Sequence, residues 1–453
     1  MSLDRAPTQD EAVTSVSALV DVFRTAERPR AEHRVGLEHE KFLYPLEDPP
    51  IPVPYQGPRG IGALLGLLAA RGYTPFRDAP DAPPIALTRG EHTLSLEPGG
   101  QFELSGSPAR TARAVNAENV AHARMLTEAA RELGLQPVTL GYRPWGTTAD
   151  IPWMPKKRYQ VMRQTLPVRG KLALNMMLMT CTGQVSLDWS SEADCARKVT
   201  ATARLTPLLV ALFANSPLAE GKPSGWMSYR SHVWSDVDPT RCGYFPRMLD
   251  GTFDYGAYVE WALKAPLLFL RRNGDYAMPA MTFGELLERG FEGQPARRSD
   301  WEDHLSTLFP EVRIKRVMEV RGADSVSLEQ TAGLVALWRG LLYDDGALDA
   351  ALGLVPRLSF AAHLAFHEEA QRNGLRGKLG RTSLASMALE MVRIARAGLQ
   401  RLDPADAPLL DVLEARAASG QSPAEDVLAA AQTLHSPAAL LARFALLPHP
   451  PGG

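Results

Sequence analysis

Glu38 and Glu40 sit two residues apart in the apolar run VGLEHEKFLY at 35–44. An extended strand points alternate side chains to one face, so both carboxylates project together. Two ionised carboxylates on one half-buried face repel each other unless a cation lies between them. Two further stretches add to the set. In LSLEPGGQFELSG, at 94–106, the Pro-Gly-Gly between Glu97 and Glu103 permits a tight turn, so two strand segments each offer one carboxylate. In KRVMEVRGAD, at 315–324, Glu319 and Arg321 share one strand face ahead of a glycine. Hard divalent cations such as Mg²⁺ take oxygen ligands, and carboxylates on rigid strands supply them. Glutamates on solvated strand faces are the competing explanation; five acids in three apolar contexts bring a magnesium site level with it.

A basic constellation accompanies the acids. MPKKRYQVMRQTLPVRGK, at 154–171, reads as a loop-rich stretch carrying Lys156, Lys157, Arg158, Arg163, Arg169 and Lys171. Lys156 and Lys157 are expected on a solvated surface, whereas Arg158 beside Tyr159 is placed to bind an anion. YRSHVW, at 229–234, reads as a short extended piece with Arg230 and His232 on one face. Guanidinium forks suit carboxylate and phosphate oxygens bidentately. His39, between the two glutamates, is expected to face away from them as a packed core histidine. Cys181 reads as a small buried hydrophobe. There is no GxxxxGK[ST] loop, no HExxH helix and no GxSxG elbow.

Periodicity and caps place the elements that must hold these groups. Helices are expected at 11–27, 61–71 and 109–133, the last with Ser107 as N-cap, Pro108 in the first position and Gly134 past its end. The run SSEADCARKVTATARLTPLLVALFANSP opens with a capping pattern from Ser191 to Asp194 and is expected to kink or break at Pro207. Strand-like pieces lie at 33–44, 93–104, 180–189 and 313–321. After about residue 325 the chain turns helical, most clearly in SPAEDVLAAAQTLH with Ser422 as cap and Pro423 behind it. The proline-rich segments at 48–58 and 79–84 read as surface loops or a flap. Strands alternating irregularly with helices indicate an α+β fold with a largely antiparallel sheet. With no composition break, residues 1–453 read as one catalytic domain, motif-dense over 33–324 and helical over about 325–453.

Composition removes several function classes. A net charge of −2, from 49 basic and 51 acidic residues, gives no global field for nucleic acid or an anionic membrane. The three cysteines, Cys181, Cys195 and Cys242, have no paired or zinc-like spacing, which fits a reducing compartment. The first residues lack the basic head and apolar core of a signal peptide, and the longest apolar runs are too short to span a bilayer. A cytoplasmic location is the expectation.

The motifs GLEHEKF, SLEPGGQFELSG, MPKKRY, MMLMTCTGQVSLDWSSEAD, ALFANSPLAEGKPSG, YRSHVW, MTFGELL, DWEDHLSTLFPEVRIKR and MEVRGAD, in that order, resemble the plant and proteobacterial type of glutamate–cysteine ligase. The resemblance implies a glutamine-synthetase-like fold, a curved antiparallel sheet lined by acids with helices outside. It implies ATP as co-substrate, a γ-glutamyl phosphate intermediate, and attack by the amine of L-cysteine to give γ-glutamylcysteine, the first step towards glutathione. Glu38, Glu40, Glu97, Glu103 and Glu319 would then hold Mg²⁺, with Mn²⁺ as a substitute. Arg321 and Glu319 would act at the transferring phosphoryl group, and Arg158, Arg230, His232 and Gln184 would hold substrate. The implied partners are L-glutamate, L-cysteine and ATP, handled by a monomer or a non-covalent homodimer. Two departures leave the acceptor amine open: Ser186 stands in QVSLD where relatives carry an amide, and SVSLEQTAG follows RGAD where they carry tryptophan. The region matching a plant cysteine pair, 276–300, contains no cysteine. A γ-glutamyl ligase with another acceptor, or a non-catalytic binding module on the same fold, are the alternatives.

Overall fold

The computed structural model describes residues 10–47, 51–272, 274–434 and 436–448; the extreme N-terminus and the start of the first proline-rich segment lie outside the described residues. Val35–Pro45 (β1) forms the spine of a nine-stranded sheet. The others are Thr74–Phe76 (β2), Ala86–Arg89 (β3), His92–Leu96 (β4), Phe102–Ser105 (β5), Leu135–Val138 (β6), Thr182–Leu187 (β7), Val312–Ile314 (β8) and Met318–Asp324 (β9). Their order is β8-β9-β7-β1-β5-β4-β3-β2, β6 also pairs with β1, and the pairings are antiparallel, as the irregular strand spacing implies.

Alternation along β1 divides its residues between two environments. Val35, Leu37, His39 and Lys41 point to one face, where Val35 and Leu37 join Val185, Leu187 and Val320 in the main core. Helices Ala112–Glu132, Glu192–Phe213 and Leu328–Leu342 pack there. Burying each such Leu or Val contributes roughly 1.5–3 kcal/mol. His39 Nδ1 lies 3.4 Å from Asn119 Oδ1 of the first of these helices, which bears out its reading as a core histidine. Glu38 and Glu40 point the other way.

Several local expectations change. The helix at 109–133 starts at Ala112, with Thr111 rather than Ser107 accepting from the Ala114 N–H. Ser107 instead hydrogen-bonds Glu118, 2.6 Å from its N–H and 2.7 Å from its hydroxyl. The helix after Ser191 runs unbroken from Glu192 to Phe213 through Pro207. Proline lacks the N–H that Ala203 O would accept, and the ring of His363 approaches that carbonyl instead. The stretch 157–165 is a helix, not a loop, and YRSHVW is one as well. On an extended piece Arg230 and His232 would share a face; on a helix they point to opposite sides.

Candidate active site

The polar face of the sheet floors a cavity of about 120 Å³. Register brings the acids there. Glu40 pairs with Glu103 across β1 and β5, while Glu38 faces Ser105 on one side and Gln184 on the other. Glu97 and Glu103 are joined by a hairpin in which Glu97 N–H donates to Gln101 O and Gly100 N–H donates to Glu97 O. Two glycines are required here. Gly100 holds φ +79°, and a Cβ on Gly99 would lie 2.4 Å from the Leu178 carbonyl oxygen. The Gln101 side chain locks the turn, accepting from Gly99 N–H and donating to the carbonyls of Met177 and Thr180.

Glu38, Glu40, Glu97 and Glu103 all line the cavity, so four of the five expected acids converge. Burial, then the charges of Glu97 and Glu103, pushes the Glu40 carboxyl well above the usual range, although Arg230 and the Thr182 N–H, at 2.9 Å, oppose this. Burial and the Glu103 charge likewise hold Glu97 up at about 7. Ser95 and Ser105 hydroxyls donate to Glu103 at 3.0 and 2.7 Å. Among the described residues no three such groups already close on one point. The donor set is nonetheless all oxygen, crowded and mutually repelling, which suits a hard divalent cation.

Glu319 departs from expectation. It is absent from the cavity lining and is surrounded by cations: Arg313 Nε at 2.6 Å, Lys315 Nζ at 2.7 Å and Arg321 Nη1 at 3.6 Å. Burial would raise its pKa, but these three charges outweigh burial and hold it far below the ordinary value. A carboxylate so occupied orients cations rather than binding a metal. Arg313, facing Glu319 in the β8–β9 register, and Lys315 both reach the cavity, and the sequence reading missed both. The signal was present in the alternation R-I-K opposite M-E-V-R.

Arg321 lines the cavity, its Nη1 2.5 Å from Gln184 Oε1 and its guanidinium 5.5 Å from the Trp234 ring. Burial, then Arg313, pushes its pKa down to about 10, so it stays charged at neutral pH. Arg158 enters from the first turn of helix Lys157–Thr165 and donates to Ser306 Oγ at 3.0 Å. Lys156, expected on the surface, is 8% exposed and lines the cavity. Lys157 is exposed, as expected, 3.8 Å from Asp275. Arg230 also lines the cavity; His232 does not, because the helical turn sends it outward to stack on Trp226 at 3.9 Å. Acids on β1, on β5 and in the turn after β4 therefore face bases on and just after β8, on β9 and at two short helices. Neither departure noted in the sequence reaches this wall: Ser186 does not line the cavity, and the helix that follows RGAD packs in the core.

An antiparallel sheet lined by acids faces a bank of guanidinium groups, an arrangement that suits a ligase acting on anionic substrates. Its family is established by direct comparison. The chain belongs to glutamate–cysteine ligase family 2, whose sequence model matches residues 34–441. It is 38% identical to the chloroplastic glutamate–cysteine ligase of Brassica juncea, over 93% of this chain and 83% of that one. The Arabidopsis thaliana enzyme is also 38% identical, over 93% and 82%. The fold is shared with the Francisella tularensis glutamate–cysteine ligase, solved in complex with AMP, at a TM-score of 0.56 and 13% identity over 91% of this chain and 88% of that one. The cytoplasmic location expected from cysteine usage, the first residues and the short apolar runs is corrected by the plant relatives, which are chloroplastic. A reducing interior does not distinguish the two compartments. No helix among the described residues is long and apolar enough to cross a membrane.

Two of the three thiols are buried and the third, Cys242, is half-buried. Cys181 and Cys195 are fully buried, with their pKa pushed well up by burial, and burial pushes Cys242 up to about 12 despite Arg241. Thiols without thiolate character exchange slowly. Dithiothreitol and oxidised glutathione are accordingly expected to change the rate of the purified protein by less than about twofold, read as ADP release. A reversible several-fold loss on oxidation would show that a thiol controls the site.

Proposed function

We propose that this cavity joins the γ-carboxylate of L-glutamate to the amine of L-cysteine, driven by conversion of ATP to ADP, in the first step towards glutathione. The convergence of four carboxylates and six cationic side chains on one cavity carries this reading, in a chain of the glutamate–cysteine ligase family. Glu38, Glu40, Glu97 and Glu103 would hold magnesium, which supplies a compact positive charge for the phosphate oxygens of ATP. The protein's own groups do the rest. Arg321, fixed by Gln184 and Glu319, faces the transferring phosphoryl group and stabilises the charge on its oxygens. Arg313 and Lys315 extend that positive wall, and their shared contact with Glu319 keeps them from turning away. Arg158 and Arg230 hold substrate carboxylates, so the acyl phosphate and the incoming amine meet in a fixed geometry. Arg230 Nε has no partner among the described residues, as a group awaiting a ligand would. The helical C-terminal portion belongs to the same catalytic domain in this reading, because its Met391 and Leu399 share one core with Val35 and Leu187 of the sheet.

The test is ADP release with L-glutamate and magnesium-ATP across a panel of amines, with product mass as readout. L-Cysteine is expected to give the fastest turnover and a product of the mass of γ-glutamylcysteine. Faster turnover with a different amine would reassign the acceptor, and no ADP with any amine would refute the ligase reading.

A further inference from the structure

A second, smaller chamber of about 10 Å³ lies against the active-site cavity and shares Arg230, Trp234, Phe309 and Arg321 with it. Glu311 forms its far wall. The Glu311 side chain is 13% exposed, and among the described residues its one ion-pair contact is His367 Nε2, at 3.9 Å. That ring supplies little charge, since burial pushes its pKa down to about 4. His367 belongs to helix Phe360–Asn373, and its other nitrogen lies 2.8 Å from the Tyr244 hydroxyl. The two arginines facing Glu311 are turned elsewhere: Arg230 Nη2 donates to Arg321 O at 3.0 Å, and Arg321 Nη1 to Gln184. A carboxylate this little exposed, with no hydrogen bond from a described side chain, is costly to keep charged, and a cationic donor on a ligand would offset that cost.

The chamber has room for about one water molecule, and an ammonium group is of that size. A whole amino acid does not fit, so the rest of any ligand must lie in the main cavity, which Arg230 also lines. We propose that Glu311 binds the α-ammonium group of the acceptor amino acid and removes the proton that must leave before attack. This rests on the ligase reading above. The freed amine lone pair attacks the γ-carbonyl carbon of the acyl phosphate, the carbon–oxygen bond to phosphate breaks, and the second amine proton leaves with the phosphate. The first proton passes from Glu311 to solvent. Burial raises the Glu311 pKa, which makes it a better base than an exposed glutamate, while Arg230 and Arg321 oppose that rise. The charged or titratable groups facing it are those two arginines, His367 and Tyr244.

Hydroxylamine separates the two roles, because it is an uncharged amine near neutral pH and needs neither an ammonium site nor a base. With Glu311→Gln, turnover with L-cysteine is expected to fall about 10- to 100-fold, while γ-glutamyl hydroxamate formation with hydroxylamine stays within about twofold of wild type. Glu311→Asp, which keeps the charge, is expected to restore part of the cysteine reaction. Unchanged cysteine turnover in Glu311→Gln, or equal loss with both acceptors in both variants, would overturn the assignment. A wild-type protein that makes no hydroxamate with magnesium-ATP and L-glutamate would instead overturn the ligase reading, and the proposal with it.

Discussion

Glu40→Gln is expected to leave a folded protein whose ligase rate is lower by about a hundredfold or more, with clearly weaker binding of magnesium-ATP. Glu40 is flanked by Glu103 across the strand pair and coupled electrostatically to Glu97, with one backbone N–H and Arg230 as its favourable contacts. Removing its charge takes a ligand from the metal but relieves repulsion in the metal-free protein. The variant should therefore melt no lower than wild type without magnesium and gain less when magnesium is added. A related pH effect follows from Glu97, whose pKa is raised to about 7 in the fold from the ordinary 4.5 of a glutamate. Between those values the folded state binds more protons than the unfolded one, so metal-free stability falls as pH rises. The contribution is complete below about pH 4.5 and lost above about pH 7. Thermal melts of both proteins across this range, with and without magnesium, provide the check. Retained turnover of Glu40→Gln at ordinary magnesium concentrations would remove Glu40 from the metal site.

Arg230→Ala is expected to raise the KM for amino-acid substrate about 10- to 100-fold, leaving the apparent affinity for ATP within about twofold. The structure fixes this guanidinium with care. Helix Tyr229–Trp234 is capped by Ser228, whose hydroxyl donates to Asp324 Oδ1 at 2.8 Å, and the Arg230 N–H donates to Ser216 Oγ, itself 2.6 Å from Asp324 Oδ2. Asp324 lies at the end of the strand that carries Arg321, so the two arginines share one foundation. Arg230→Lys should recover little, because a single ammonium cannot reproduce a planar fork with fixed donors. Steady-state kinetics with each substrate varied in turn decide the matter. A defect confined to nucleotide affinity would move Arg230 to the ATP side of the cavity.

Much of the acidic half of the site was legible because strand geometry is local. Once 35–45 is extended, alternation alone puts Glu38 and Glu40 on one face, and Pro-Gly-Gly is needed to bring Glu97 back beside Glu103. The basic half was less legible. Arg230 and His232 were read as facing the same way because six residues are too few to show a period, and the helix that forms depends on Ser228 and Asp324, which no local pattern links. Lys156 looked like surface because a lysine in a basic run usually is; only the packing around helix Lys157–Thr165 buries it. Pro207 reads in the sequence as a kink or a break; the helix runs through it, and a histidine more than 150 residues away approaches the carbonyl it leaves over.

The sequence by itself determined the α+β class, the antiparallel sheet, the membership of the glutamate–cysteine ligase family and four of the acids. Each of these depends on neighbours within one or two elements or on motifs long enough to be unmistakable. Tertiary structure alone decided which charges face substrate and which face each other. Glu319 alternates on its strand much as Glu38 does, yet three cations of its own hairpin claim it, and Glu311, inside a motif that says nothing of its role, lies beside the cavity with no hydrogen bond from a described side chain. Which of several nearby charges pair in a buried site is settled by distances of a few ångströms, and spacing along the chain does not contain them.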